Sequence, residues 1–172
     1  MAQFFAYPEG SQERIFFSML SEAACRQIQA LIGKYPKKRS ALIPSLLLAQ
    51  KEAGYISTEM MCEIARMFDL SPSEVHEVAS FYTMLFTKPV GKYVIQVCTN
   101  ISCLLCNAEE IAAHLTEKLG IQMGETTPDG KHTLLEVECL GSCGTSPVMQ
   151  INENYYEDLT PEKVDRILDS LE

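Results

Sequence analysis

Apolar residues in the first half of the chain recur at the three- and four-residue spacing of amphipathic helices. The stretch EMMCEIARMF has four of them at positions i, i+3, i+4 and i+7, namely Met61, Ile64, Ala65 and Phe68. Helices are also predicted around residues 19–33 and 40–53, the second ending at Gly54. Three or four short helices with shared apolar faces predict a small helical bundle.

The segment SPSEVHEVASFY carries the signals of a helix start. Ser71 is placed as the N-cap, Pro72 takes the first helical position, and Glu74 completes a capping box. The apolar residues of FYTMLF, at positions 81–86, are expected to lie mostly in the hydrophobic core, with part of the stretch facing a partner.

The pattern changes at KPVGK, residues 88–92, where proline and glycine interrupt the chain. KYVIQVCT, rich in branched and aromatic residues, then predicts a strand. CNAEEIAAHLTEKLGI predicts a helix with its C-cap at Gly120. Three apolar residues are expected on one side of that helix: Ile111, Leu115 and Leu119.

The remaining segments predict a strand, a hairpin and a last helix. LLEVECL alternates, which places Leu135, Val137 and Cys139 on one face. PVMQIN and YYED flank an Asn-Glu-Asn turn at 152–154 and predict a hairpin, and Thr160 caps a helix that begins at Pro161.

The order strand, helix, strand, hairpin, helix is that of a thioredoxin-like α/β domain. With the helices that precede it, the chain is predicted to be an α+β or α/β protein of two domains. Residues 1–87 are predicted to form a helical bundle, and residues 88–172 the thioredoxin-like domain.

The composition is that of an ordinary globular protein, with 47% hydrophobic and 22% charged residues. No apolar run approaches the roughly 20 residues that a membrane helix needs. The N-terminus has neither the basic region nor the apolar region of a secretory signal. We therefore expect a cytoplasmic protein without direct membrane insertion, and the lack of a presequence favours a bacterial source.

The net charge of −9 is concentrated at the C-terminal end. Residues 125–172 hold 11 acidic and 3 basic residues, whereas residues 1–124 hold 12 acidic and 11 basic. An acidic segment repels phosphate backbones, so nucleic acid is not an expected partner. The charge favours either an acidic face that maintains solubility or docking onto a basic partner.

Seven cysteines in a reducing compartment are not expected to form a disulfide framework, and they favour metal ligands, redox thiols or buried apolar residues. Cys25 and Cys62 stand alone on helical patterns and are predicted to pack in the core. The other five are Cys98, Cys103, Cys106, Cys139 and Cys143.

Two interpretations begin from the first three of these cysteines. Cys103 and Cys106 form a C-x-x-C after a strand, where thioredoxin-like enzymes keep a redox dithiol. Cys98, Cys103 and Cys106 together have the C-x4-C-x2-C spacing of plant-type ferredoxins, which requires one more distant cysteine. The helical pattern that starts near Cys103 argues against the extended loop of that ferredoxin.

A third interpretation pairs Cys98-x4-Cys103 with Cys139-x3-Cys143. Each pair follows a predicted strand, and parallel neighbouring strands would bring both loops to one end of the sheet. Gly141 and Gly144 would permit a tight backbone at positive φ. Small residues, among them Asn100, Ser102, Ser142, Thr145 and Ser146, would serve as donors to sulfur. The spacing fits a [2Fe–2S] cluster and also an all-cysteine structural zinc site.

The two pairs stand in VCTNISC and EVECLGSCGTSPVMQIN, and this arrangement resembles the thioredoxin-like [2Fe–2S] ferredoxin component of respiratory complex I, the NADH:quinone oxidoreductase. The likeness extends upstream through YPKKRSALIPSLLLAQKEAGYIS and EVASFYTMLFTKPVGKY, and downstream through NYYEDLTPEKVDRIL. The resemblance implies one [2Fe–2S] cluster with four cysteine ligands: Cys98, Cys103, Cys139 and Cys143. Cys106 is then a bystander thiol near the cluster.

What the resemblance implies is an electron carrier of an NADH dehydrogenase without a catalytic site of its own. FMN and NAD(H) are expected on a neighbouring flavoprotein subunit, on which the helical bundle of residues 1–87 would dock. Further iron–sulfur subunits are expected beyond it, in the peripheral arm of a membrane-associated complex. NAD-linked hydrogenases and formate dehydrogenases contain close relatives, so an equivalent diaphorase subunit stays an alternative. The other two alternatives are a dithiol oxidoreductase that uses Cys103 and Cys106 and a zinc-stabilised adaptor.

Overall fold

The structure is a computed structural model that describes residues 19–171. The chain divides into two compact units, one ending at Leu85 and the other beginning at Phe86. In the described residues, the first unit is helical and the second combines helices with a four-stranded sheet. The predicted architecture, a helical region followed by a thioredoxin-like α/β region, is confirmed.

Four α-helices form the first unit in the described part of the chain: α1 (Glu22–Ile32), α2 (Leu42–Ala53), α3 (Thr58–Phe68) and α4 (Pro72–Phe81). A 3₁₀ turn, Lys38–Ala41, precedes α2. The predicted capping box of Ser71 and Glu74 is present at the start of α4. Gly54 ends α2 in the left-handed conformation, with φ of 83°.

The core of the first unit contains the predicted apolar face of α3. Met61, Ile64, Ala65 and Phe68 are all buried there. Cys25 is half-buried and packs against this core, as predicted, whereas Cys62 is half-buried and is not among the core residues of the described chain. The prediction for residues 81–86 is wrong. Of FYTMLF, Leu85 alone is buried, because the chain leaves the helix at Tyr82 and turns three side chains to solvent: Phe81, Tyr82 and Met84.

The sheet of the second unit contains four strands: β1 (Tyr93–Cys98), β2 (His132–Val137), β3 (Met149–Ile151) and β4 (Asn154–Tyr156). Their spatial order is β2-β1-β3-β4. β1 and β2 are parallel, whereas β3 is antiparallel to both of its neighbours. The parallel pair and the β3–β4 hairpin are as predicted, and they give the sheet of a thioredoxin-like fold.

Three helices accompany this sheet in the described residues: α5 (Ile101–Leu105), α6 (Ala108–Leu119) and α7 (Pro161–Asp169). The sequence predicts one continuous helix from Cys106, but Asn107 adopts a left-handed conformation, with φ of 65°, and separates α5 from α6. The predicted caps at Gly120 and Thr160 are both present. None of the helices within residues 19–171 combines the length and apolarity needed to cross a bilayer.

The core of the second unit lies on the face of β2 opposite to that of Leu135 and Val137. Leu134 is fully buried, whereas Leu135 is only half-buried. Leu134 lies beside Ile95 in the parallel register, so it shares the core face of β1. Glu136, two residues further along the face of Leu134, is exposed and accepts a hydrogen bond from Thr99 Oγ1 at 2.8 Å.

Candidate metal centre

The two predicted cysteine pairs leave the sheet at the same end. β1 ends at Cys98, and β2 ends at Val137, which lies beside Cys98 in the parallel register. The Thr99 N–H donates to the Val137 carbonyl at 3.1 Å and extends this pairing by one residue. The predicted convergence of two loops from parallel neighbouring strands is confirmed.

The first loop buries both of its cysteines. The Asn100 side chain accepts a hydrogen bond from the Ile101 N–H at 2.9 Å and begins α5 immediately after the strand. The helix directs Cys103 inward, where its side chain lies 3.4 Å from Ser146 Oγ of the second loop. Cys98 and Cys103 are 3% and 2% exposed, so this pair is shielded from water.

The second loop holds its cysteines at the surface. Cys139 and Cys143 are both exposed, and Cys143 starts a 3₁₀ turn that ends at Thr145. Gly141 adopts the predicted positive φ, at 75°, and its N–H donates to the Cys139 sulfur at 3.3 Å. Gly144 does not have a positive φ, because it lies inside the 3₁₀ turn.

Hydrogen bonds converge on the sulfur of Cys98. Burial acts to raise the pKa of this thiol, but backbone N–H groups of Asn100 and Leu140 and the thiols of Cys103 and Cys139 outweigh it, so the pKa is lowered. Cys98 therefore interacts with one predicted ligand from its own loop and one from the other. The backbone donors stabilise negative charge on the sulfur.

Cys103 has the opposite shift. Burial raises the pKa of this thiol, and its hydrogen bond to Cys98 adds to the rise, against the lowering effects of Ser146 and the Val148 N–H. In the thiol form, Cys103 thus serves as the donor to the Cys98 thiolate. Val148 supplies one more backbone N–H to a sulfur of the site.

A carboxylate braces the turn that carries Cys143. Glu157 accepts hydrogen bonds from Ser142 Oγ and, at 2.7 Å, from Thr145 Oγ1. These hydrogen bonds hold the pKa of Glu157 below its ordinary value. The prediction that Ser142 and Thr145 donate to sulfur is therefore wrong, because a nearby carboxylate is the stronger acceptor. Sequence alone held no signal for Glu157, which comes from the far side of the hairpin.

Cys106 differs from the cysteine of its own helix, Cys103, in position and exposure. It is exposed at the C-terminal end of α5. Cys103, by contrast, is buried within the same helix. These positions disfavour the dithiol interpretation, which needs both thiols of C-x-x-C at a helix N-terminus.

The four predicted ligands are brought to one end of the sheet, but they are not closed around a centre. Within residues 19–171, no group of three or more histidine, cysteine, aspartate or glutamate side chains is arranged to hold a metal ion. Four thiols from two loops with backbone N–H groups directed at three of the sulfurs nevertheless form a donor set that fits a [2Fe–2S] cluster.

The family model described as thioredoxin-like [2Fe–2S] ferredoxin matches residues 28–172. This chain belongs to that family. Its curated relatives include an NADH-quinone oxidoreductase subunit of Rhizobium meliloti, 43% identical over 84% of this chain and 86% of the relative. The corresponding NADH-quinone oxidoreductase subunit of Rickettsia bellii is 48% identical over 82% of this chain and 86% of its own length.

A solved structure extends the likeness beyond the NADH-quinone oxidoreductase subunits. A chain of an NAD⁺-reducing [NiFe]-hydrogenase in the H₂-reduced state aligns with a TM-score of 0.66 and 25% identity. The alignment covers 74% of this chain but only 22% of the hydrogenase chain. The fold therefore matches one part of a much longer polypeptide.

Proposed function

We propose that this chain is the electron-transfer subunit of an NADH dehydrogenase complex and holds one [2Fe–2S] cluster. The proposed ligands are Cys98, Cys103, Cys139 and Cys143. The observation that carries the proposal is the exit of both cysteine loops from the same end of two parallel strands. When bound, the cluster supplies a site that accepts one electron at a time from the FMN of a neighbouring NADH-oxidising subunit.

The protein's own part is to hold the ligands and tune the site. Buried Cys98 and Cys103 restrict water, and the N–H groups of Asn100, Leu140 and Val148 stabilise negative charge on sulfur. The 11 acidic and 3 basic residues of the segment 125–172 act in the other direction, because added negative charge disfavours reduction. We expect a low reduction potential.

The partner we propose is the flavoprotein subunit that binds FMN and NADH, with further iron–sulfur subunits in a peripheral arm. The relatives named as subunits of NADH-quinone oxidoreductase support this assignment. In the helical unit, Phe81, Tyr82 and Met84 are 75%, 37% and 51% exposed. Large exposed apolar side chains are typical of docking surfaces, which supports a docking role for this unit.

The second candidate is an equivalent diaphorase subunit of an NAD-linked hydrogenase. The fold likeness to a chain of the NAD⁺-reducing hydrogenase favours it over the formate dehydrogenase alternative. Purification of the chain from its native cell, followed by identification of the co-purifying subunits, separates the two. Quinone-reductase subunits support the first candidate and nickel–iron subunits the second.

The test of the ligand set is the metal content of purified and anaerobically reconstituted protein. We expect iron and acid-labile sulfide in equal amounts, and a large loss of both in Cys143→Ser, because a serine hydroxyl holds the iron of a cluster more weakly than a thiolate does. Cys106→Ser is the matched control and should keep the wild-type colour and iron content.

Three results would contradict the proposal in different ways. Colourless protein with zinc would indicate the structural adaptor. Dithiol reductase activity that disappears in Cys106→Ser would indicate the oxidoreductase alternative. Iron loss in Cys106→Ser with retention in Cys143→Ser would overturn the ligand set itself.

A further inference from the structure

The loop that carries Cys139 and Cys143 is held to β4 and to the residue that follows it by hydrogen bonds from side chains other than cysteine. Tyr155 Oη donates to the Leu140 carbonyl at 3.1 Å near the first cysteine. Near the second, Glu157 Oε1 accepts from both Ser142 Oγ and Thr145 Oγ1. One carboxylate oxygen therefore joins the two ends of the turn in which Cys143 lies.

The turn has additional hydrogen bonds that hold its backbone in place. Ser142 Oγ and Thr145 Oγ1 lie 2.9 Å apart, and the Thr145 N–H donates to the Ser142 carbonyl at 3.2 Å. The Asp158 N–H donates to the Thr145 carbonyl at 2.8 Å. The Glu157 side chain and the Asp158 N–H, which directly follow β4, thus bind the same turn.

Glu157 is itself held at its backbone. Lys163 Nζ, from the first turn region of α7, donates to the Glu157 carbonyl at 2.6 Å. Because α7 packs Val164, Ile167 and Leu168 into the core of the second unit, this contact connects the brace to rigid structure. Cys143, by contrast, is exposed and has no apolar packing of its own in the core clusters of the described residues.

We propose that Glu157 is a positioning residue for the [2Fe–2S] site, which fixes the turn around Cys143 so that this thiol faces the other three ligands. The inference rests on the proposed function. The carboxylate acts through Ser142 and Thr145, one on either side of Cys143 and Gly144, rather than by touching the ligand. An amide at the same position would keep an oxygen acceptor but would lose the negative charge.

The experiment compares Glu157→Ala, Glu157→Gln and a charge control, Glu117→Ala, in full-length reconstituted protein. Glu117 is an exposed carboxylate on α6, so its removal changes the net charge equally without touching the turn. The first measurement is the rate at which an iron chelator bleaches the cluster absorbance. The second is the electron paramagnetic resonance signal and midpoint potential of the reduced cluster.

We expect Glu157→Ala to lose its cluster roughly tenfold faster than wild type, because the two hydroxyls lose their shared acceptor oxygen and the turn is released. Its resonance signal should also broaden, which a loss of general stability would not cause. Glu157→Gln should keep the wild-type rate and line shape, with a midpoint potential shifted upward. Glu117→Ala should change neither the rate nor the line shape.

Equal bleaching rates in Glu157→Ala and Glu117→Ala would overturn the proposal. So would a Glu157→Gln protein as labile as Glu157→Ala, since the amide retains the acceptor, or one with an unchanged potential. If circular dichroism shows that Glu157→Ala does not fold, the proposal is tested with Glu157→Gln and Thr145→Val. The bleaching rate and the resonance signal of these two variants are then compared with those of the wild type. Wild-type protein that takes up no iron and sulfide would instead refute the proposed function.

Discussion

The substitution Gly91→Ala tests how tightly the start of β1 is packed against the start of β2. A Cβ atom at residue 91 would lie 2.8 Å from the His132 carbonyl carbon, 2.9 Å from the His132 nitrogen and 2.9 Å from the Lys131 carbonyl carbon. Comfortable contacts between carbon atoms are about 3.5–4.0 Å. All three atoms belong to the backbone, so no side-chain rotation can relieve the overlap.

The expected loss of stability in Gly91→Ala follows from the hydrogen bonds that the added Cβ would disturb. Two segments have to separate at a point where the Gly91 N–H donates to Thr133 Oγ1 at 2.6 Å and the Tyr93 N–H to the Lys131 carbonyl at 2.8 Å. Overpacking of this kind costs about 1–3 kcal/mol, and a weakened buried hydrogen bond costs about 1 kcal/mol more. Alanine also lowers the conformational entropy of the unfolded chain, which offsets about 0.4–1 kcal/mol of this loss of stability. The net expectation is a loss of about 2 kcal/mol.

Hydrogen exchange measured by mass spectrometry reports this loss in the second unit alone. Peptides covering β1 and β2 should exchange about 30-fold faster in Gly91→Ala under conditions where exchange follows the opening equilibrium. Gly33→Ala is the matched control, because its nearest atoms lie at 3.7 and 3.8 Å and its φ is −68°. Unchanged exchange in β1 and β2 of Gly91→Ala would refute the close approach of the two backbones.

Two further predictions concern polar side chains that folding leaves poorly solvated. Ser45 is fully buried in α2, and its hydroxyl has no hydrogen-bond partner among the described residues. Ser45→Ala should therefore raise the free energy of unfolding of the helical unit, measured by urea denaturation, by about 1 kcal/mol. A less stable variant would show that the hydroxyl does make a stabilising hydrogen bond. Burial, followed by the charge of Lys131, lowers the pKa of His132 from its ordinary 6.5. Protonation therefore favours the unfolded chain, and stability present above pH 6.5 is lost as the pH falls through that value. His132→Phe, which can keep the stacking on Tyr93, should lose less thermal stability than wild type between pH 7.5 and 5.5, and equal losses would contradict this assignment.

Local signals predicted most of the secondary structure because they act within a few residues. The capping box at Ser71, the left-handed glycine at Gly54 and the Thr160 cap are interactions between near neighbours, and each is found where the sequence places it. The break at Asn107 escaped prediction because the apolar spacing that predicts the helix comes from Ile111, Leu115 and Leu119, all of which follow Asn107. A single left-handed residue does not alter that spacing.

Predictions that depended on distant contacts were less successful. Which leucine of β2 faces the core is decided by its register with Ile95, which alternation within one strand cannot reveal. The exposure of Phe81 depends on where the chain leaves α4. Ser142 and Thr145 find their partner in Glu157, which is 15 and 12 residues away along the chain, beyond the reach of a local motif.

The unequal burial of the two cysteine pairs follows from where the strands end. Cys98 is the last residue of β1 and Cys103 lies in α5, and both pack in one small core cluster with Ala108 and Val148. β2 ends at Val137, two residues before Cys139, so the second loop is already clear of the sheet when its first cysteine is reached. Hydrophobic packing can hold the first pair in place, but the second needs polar fastenings from elsewhere in the fold. The hydrogen bonds of Tyr155 and Glu157 provide those fastenings, which is why a carboxylate outside both cysteine motifs bears on the geometry of the site.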